Sequence, residues 1–192
     1  MDRKICWIDL ETSGLNPSEH GIVQLAGILE VNGIEKCTFD FKVRPFPQQK
    51  IDPEALAING FTHEMLESHM EPHKVYQELI EIFSGYVNKY DKTDKMFFAG
   101  YNSQFDDTFL RKFFENCGDG FYGSWFARPT LDVYVIAMDK MGAVWNTLTN
   151  HKLATLADYF SIERDGTLHN ALCDIKMTRD LYRKVTELRD AK

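Results

Sequence analysis

Along the first 45 residues the apolar positions come in short runs, not in helical stripes. Residues 4–10 form one run, and "GIVQLAGILEV" (21–31) and "EKCTFDFKVRP" (35–45) form two more, with Gly33 in the short turn between these two. Runs of this length bounded by Gly and Pro predict three strands, the second and third paired antiparallel. From residue 52 the period changes. Asp52-Pro53 opens a short helix that Gly60 ends, and Val75, Leu79, Ile82, Phe83 and Tyr86 recur at helical spacing. The polar stretch "KYDKTDK" leads into a fourth strand, "MFFAGYN", and a helix follows over roughly 103–115. After the connection "CGDGFYGSWFARP", a short strand, "TLDV", runs into a helix up to about Met141. The last helix covers roughly 170–188. Hairpin strands followed by alternating helices and strands predict an α/β chain: one mixed sheet with helices on its faces. No repeat or linker divides the 192 residues, so one domain over 1–192 is expected.

Two acids break the first apolar run, in "ICWIDLETSGL". Alternate side chains of a strand share a face, so Asp9 and Glu11 point the same way, only ~7 Å apart. The helix "NSQFDDTFLRKFF" repeats the anomaly. With Phe105 at zero on a wheel, Phe109 falls near 40°, Phe113 near 80° and Leu110 near 140°. Asp106, near 100°, sits inside this apolar face, whereas Asp107, near 200°, is expected on the solvent side, paired with Arg111. In the last helix Ala171, Ile175, Thr178, Tyr182 and Val185 form the inner stripe, and Asp174 flanks it. His169 and Asp174 face one site only if His169 lies before the first turn, a place suited to moving a proton more than to anchoring a metal.

Taken singly, each group has an ordinary reading: a strand-end cap, a backbone acceptor, a residue at a helix start. Together, four acids on three elements repel one another unless a cation neutralises them. Oxygen-only ligands favour Mg²⁺ or Mn²⁺, and a pair of such ions ~4 Å apart is the usual arrangement for phosphodiester cleavage.

Composition narrows the picture. The chain is 44% hydrophobic with a formal net charge of −7 and no block of basic residues, which argues against a basic surface for long duplex DNA. Cys6, Cys37, Cys117 and Cys173 form no C-x-x-C pair and sit in apolar patterns, as reduced, buried thiols of a cytoplasmic protein would. No signal peptide or membrane span is expected.

"WIDLETSGL", "NSQFDDTFL" and "HNALCD" resemble, in the right order, the three motifs of the DEDDh (DnaQ-like) 3′–5′ exonucleases, which include the proofreading subunit of bacterial replicative DNA polymerase and ribonuclease T. "INGFTHEML" and "LDVYVIA" extend the likeness over nearly the whole chain. The second motif reads nearer the polymerase-proofreading type than the oligoribonuclease branch. The resemblance implies an RNase H-like fold with a central five-stranded mixed sheet flanked by helices. It assigns Asp9, Glu11, Asp106 and Asp174 to two Mg²⁺ ions, with Mn²⁺ as a substitute, and His169 to general-base duty. It implies removal of nucleoside 5′-monophosphates from nucleic-acid 3′ ends, with single-stranded DNA favoured. RNA trimming and a non-catalytic end-binding module are the alternatives. A polymerase or other replication or repair partner fits the family, but the residues name none.

Thr12, Leu15, Ile58, Phe61, Asn102 and Phe105 fall where the family contacts the terminal nucleotide, though Leu15, Ile58 and Phe61 equally fit a core. Asn102 also fits a helix N-cap. Phe121, Tyr122, Trp125 and Phe126 read as packing before base stacking, and Asp132 as a helix cap.

Overall fold

The structure, a computed structural model, describes residues 2–163 and 170–188. Its five strands are β1 (Lys4–Thr12), β2 (Ile22–Val31), β3 (Ile34–Lys42), β4 (Met96–Gly100) and β5 (Phe126–Asp132). They form one sheet in the order β3-β2-β1-β4-β5. β1 and β2, and β2 and β3, pair antiparallel, whereas β1 and β4, and β4 and β5, pair parallel. The β2–β3 turn is Asn32-Gly33, with φ of 54° and 77°; two positive φ values in a two-residue loop match the twist of a hairpin.

Among the described residues, seven α-helices surround the sheet: α1 (Pro53–Asn59), α2 (His63–Ser68), α3 (Pro72–Ser84), α4 (Ser103–Asn116), α5 (Val133–Met141), α6 (Leu153–Tyr159) and α7 (Ala171–Glu187). α1 starts and stops where its punctuation predicts. Asp52 accepts from the Glu54 N–H, and Gly60 closes the helix at φ 72°.

The alternation of β1 sorts the core into two layers. Cys6, Ile8 and Leu10 pack with Val75, Leu79 and Phe83 of α3 and with Phe109, Leu110 and Phe113 of α4. Ile5 and Trp7 face the other way, against Val133 and Ala137 of α5 and Ile175, Leu181 and Val185 of α7. By the same parity Asp9 and Glu11 lie on the α7 face. A third cluster, Val23, Leu56 and Leu66 with Ile51 and Phe61, seats α1 and α2 beside the sheet.

Four expectations change. β5 begins at Phe126, inside the segment read as a connection, because pairing with β4 recruits residues whose local pattern is turn-like. α2, which the apolar pattern left unmarked, is a six-residue helix capped by the Thr62 hydroxyl. α3 ends at Ser84, so Tyr86 of the predicted stripe lies beyond it. Of the four free cysteines only Cys6 is buried, since Cys37 is on the edge strand and Cys117 and Cys173 sit at helix ends. No helix among the described residues is long and apolar enough to cross a membrane.

Candidate active site

The C-terminal end of β1 and the first turn of α7 bring three acids together. Carboxylate oxygens of Asp9, Glu11 and Asp174 all lie within 4.8 Å of one another. Each element is fixed independently of that contact. The Asn170 side chain accepts from the Leu172 N–H and starts α7, and Asp174 follows in its first turn. Farther along, α7 is clamped to the sheet through the buried Glu30 of β2, which accepts from the Trp7 indole at 3.1 Å and from Arg183 at 2.6 Å. Arg179 bridges to Glu35 on β3 at 2.5 Å.

Asp106 stands outside this trio, on α4, and its Oδ1 accepts from the backbone N–H of Leu10 at 3.1 Å. That bond places it beside the peptide between the two β1 acids. Burial and the charges of Asp106, Asp174 and Glu11 push the Asp9 carboxyl well above the carboxylate range. Burial and Asp174 raise Glu11 to about 7, with Lys42 pulling the other way. Burial raises Asp106 against the opposing pull of its backbone hydrogen bonds. A cluster of oxygen donors held at this cost to their charged forms fits a hard divalent cation, which relieves both penalties at once. His169 lies outside the described residues, one position before the α7 N-cap Asn170.

Asp107 corrects the wheel. It is 1% exposed, not solvent-facing. Its Oδ1 accepts from the Tyr122 hydroxyl at 2.8 Å, and its Oδ2 pairs with Arg128, not Arg111, at 2.7 Å. Arg111 lies over the Tyr122 ring instead. An isolated wheel assumes one buried face, but the loop after α4 folds back over the second.

The nucleotide-contact candidates divide. Leu15, 82% exposed at the tip of the β1–β2 loop, and Ile58, 60% exposed on α1, are free to meet a ligand. Phe61 is half-buried, its ring edge-on to His69 and under the Lys42 ammonium. The Thr12 hydroxyl is already used, donating to the Gly14 carbonyl at 2.7 Å, and Phe105 is half-buried with its ring 4.9 Å from Phe109. Asn102 occupies the N-cap position of α4 in the left-handed region, and its side chain makes no capping bond. Tyr122, Trp125 and Phe126 are core residues, which rules them out as a stacking surface, while Phe121 is exposed. Asp132 caps α5 through the Tyr134 N–H and also accepts from the Asn102 N–H.

Sequence reasoning missed Lys42. The pairing register sets it beside Gln24 and Gln24 beside Glu11, and only strand pairing reveals that row. Volume does not mark the site. A cavity of about 610 Å³, lined by residues 84–90 and Trp125, lies toward the opposite end of β1.

The chain matches the family model RNase_T, described as Exonuclease, over residues 6–182. It is 31% identical to "Exonuclease DPD1, chloroplastic/mitochondrial" of Arabidopsis thaliana over 93% of this chain and 54% of that protein. It is 26% identical to the "DNA polymerase III PolC-type" of Halalkalibacterium halodurans over 94% of this chain and 11% of the polymerase. The chain thus spans about half the length of the first relative and a small part of the second. Among solved structures, E. coli exonuclease I in complex with a dT13 oligonucleotide superposes with a TM-score of 0.74 at 21% identity, covering 97% of this chain and 41% of that one.

Proposed function

Because the chain belongs to the RNase_T exonuclease family, we propose that it hydrolyses the last phosphodiester at the 3′ end of single-stranded DNA and releases nucleoside 5′-monophosphates. The observation that carries this reading is the convergence of Asp9, Glu11 and Asp174 within 4.8 Å, with Asp106 held beside them by Leu10. DNA is favoured because the PolC relative is by name a DNA polymerase and the exonuclease I neighbour holds dT13.

Asp9, Glu11, Asp106 and Asp174 are the residues to hold Mg²⁺, with two ions as the proposed count and Mn²⁺ as a substitute. Bound there, the cations supply Lewis-acid stabilisation of charge on the attacking and leaving oxygens. Neutral His169 takes a proton from the attacking water, whose oxygen forms a new bond to the terminal phosphorus. The bond from that phosphorus to the 3′ oxygen of the penultimate nucleotide breaks, and that oxygen is protonated as the mononucleotide leaves. Only unprotonated imidazole accepts the proton, so kcat rises with pH through the His169 pKa and then levels off. Leu15 and Ile58 are the proposed contacts to the terminal nucleotide, a reading their exposure supports.

The test is digestion of matched 5′-labelled DNA and RNA single strands with Mg²⁺ and with EDTA. We expect one-nucleotide shortening from the 3′ end in Mg²⁺ only, faster on DNA, and a loss of at least ~100-fold in His169→Ala. Faster digestion of RNA would make the chain an exoribonuclease. Binding of 3′ ends without mononucleotide release would make it an end-binding module.

A further inference from the structure

Lys42 is the last residue of β3, an edge strand. In register it neighbours Gln24, which neighbours Glu11, so one row of side chains crosses the α7 face from the sheet edge to the acids. Neighbouring strands lie ~4.8 Å apart, so the two backbones are separated by roughly 10 Å, most of which a lysine stem covers. Gln24 fills the middle of the row and is completely buried; its amide donates to Asp40 at 2.8 Å.

The ammonium sits 5.3 Å from the centre of the Phe61 ring. Its nearest acid oxygen, on Asp40, is 3.9 Å away, beyond hydrogen-bond range. Among the described residues it donates no hydrogen bond, and its side chain is 37% exposed. A cation that spends no donor among the described residues, bent over an aromatic ring at the margin of an acid cluster, offers a place for an anion that also carries a flat ring. A nucleotide has both.

We propose that Lys42 is a phosphate-binding residue of the substrate channel. Its ammonium takes a backbone phosphate oxygen of the bound strand, and the Phe61 ring beneath it faces the sugar or base of the same nucleotide. This rests on the exonuclease reading. The rival role is that of a plain counter-charge to Glu11, which would act on metal binding and not on the strand.

Lys42→Met keeps the apolar stem over Phe61 and removes the charge, and Lys42→Arg keeps the charge. The probe is a 5′-fluorescein oligothymidylate with phosphorothioate linkages at its 3′ end, titrated in Mg²⁺ over a salt series and read by anisotropy. Losing one phosphate contact weakens binding by about tenfold and flattens the plot of log affinity against log salt by about 0.7. Lys42→Arg restores both. KM rises in Lys42→Met, while kcat and the Mg²⁺ midpoint stay near wild type. Unchanged affinity and slope overturn the proposal, and a Mg²⁺ midpoint that moves to lower concentration would then identify the counter-charge. A wild-type protein that binds the strand with the full slope yet releases no mononucleotide overturns the exonuclease reading and leaves the phosphate contact standing.

Discussion

Asp106 and Asp107 are adjacent acids in the first two turns of α4, and their surroundings give them opposite roles. Asp106 is raised by burial and by neighbouring acids, with only the backbone N–H groups of Leu10 and of Asp106 itself to offset them. Asn at this position keeps the acceptor for Leu10 and removes the charge. Asp106→Asn is therefore expected to lose nuclease activity yet melt at a higher temperature than wild type in EDTA near pH 8. Asp107 instead anchors the Tyr122 hydroxyl and Arg128, so its loss strands a buried hydroxyl and half of an ion pair. Asp107→Ala is expected to cost about 2 kcal/mol or more by denaturant melting, with kcat near wild type while the protein stays folded. An active Asp106→Asn, or an Asp107→Ala as stable as wild type, would reverse these assignments. The wheel found Asp106 because its neighbours in sequence are apolar. It failed at Asp107, whose partners come from residues 15 and 21 positions onward.

At the level of elements, the β1–β2 loop joins the strand that carries two site acids to the exposed Leu15. It is held by Ser13, whose N–H bonds to the Gly21 carbonyl at 2.8 Å and whose hydroxyl donates to the Lys50 carbonyl at 2.7 Å. Gly14 lies in this loop against the His20 ring: a Cβ there would come within 2.3 Å of the ring. Only glycine permits that approach. Gly14→Ala is expected to cost roughly 1–3 kcal/mol through overpacking and to raise KM as Leu15 is displaced. In a His20→Ala background the added cost should shrink, giving a measurable coupling in a double-mutant cycle. Equal costs in both backgrounds would show that the contact does not shape the loop. "SGLNP" identified this segment as a turn, but its packing on His20, Lys50 and Gly21 is a tertiary property.

Across the whole molecule, the acid cluster ties stability to pH and to metal. Asp9, Glu11 and Asp106 all have folded-state pKa values above those of a free carboxylate. The folded state then holds protons that the unfolded chain releases. Their contribution is fully present below about pH 4 and is lost as pH rises through the folded values, which for Glu11 is about 7. Metal-free protein is expected to melt lower at about pH 8 than at about pH 5.5, and Mg²⁺ to raise the melting temperature more at the higher pH. Asp106→Asn should flatten the pH dependence in EDTA. Scanning calorimetry with and without Mg²⁺ measures all three, and a Mg²⁺ effect that is equal at both pH values would separate the cluster from cation binding.

The sequence by itself determined most of the elements and singled out the acids. Short apolar runs, the Asp52-Pro53 opening, Gly33 in the turn after the second run and an acid within an apolar helical face are local signals, readable because hydrogen bonding and burial repeat with the period of the element that carries them. The motif order identified the family for the same reason, since each motif is a short, contiguous stretch of the chain. Tertiary structure alone decided how those elements meet. It placed Glu11, Gln24 and Lys42 in one row by strand register, buried Asp107 under Tyr122 and Arg128, and extended β5 back to Phe126 through its pairing with β4. These features join residues distant in the chain. They have no local period, because a side chain's partner across a sheet or loop is fixed by packing and not by its neighbours in sequence.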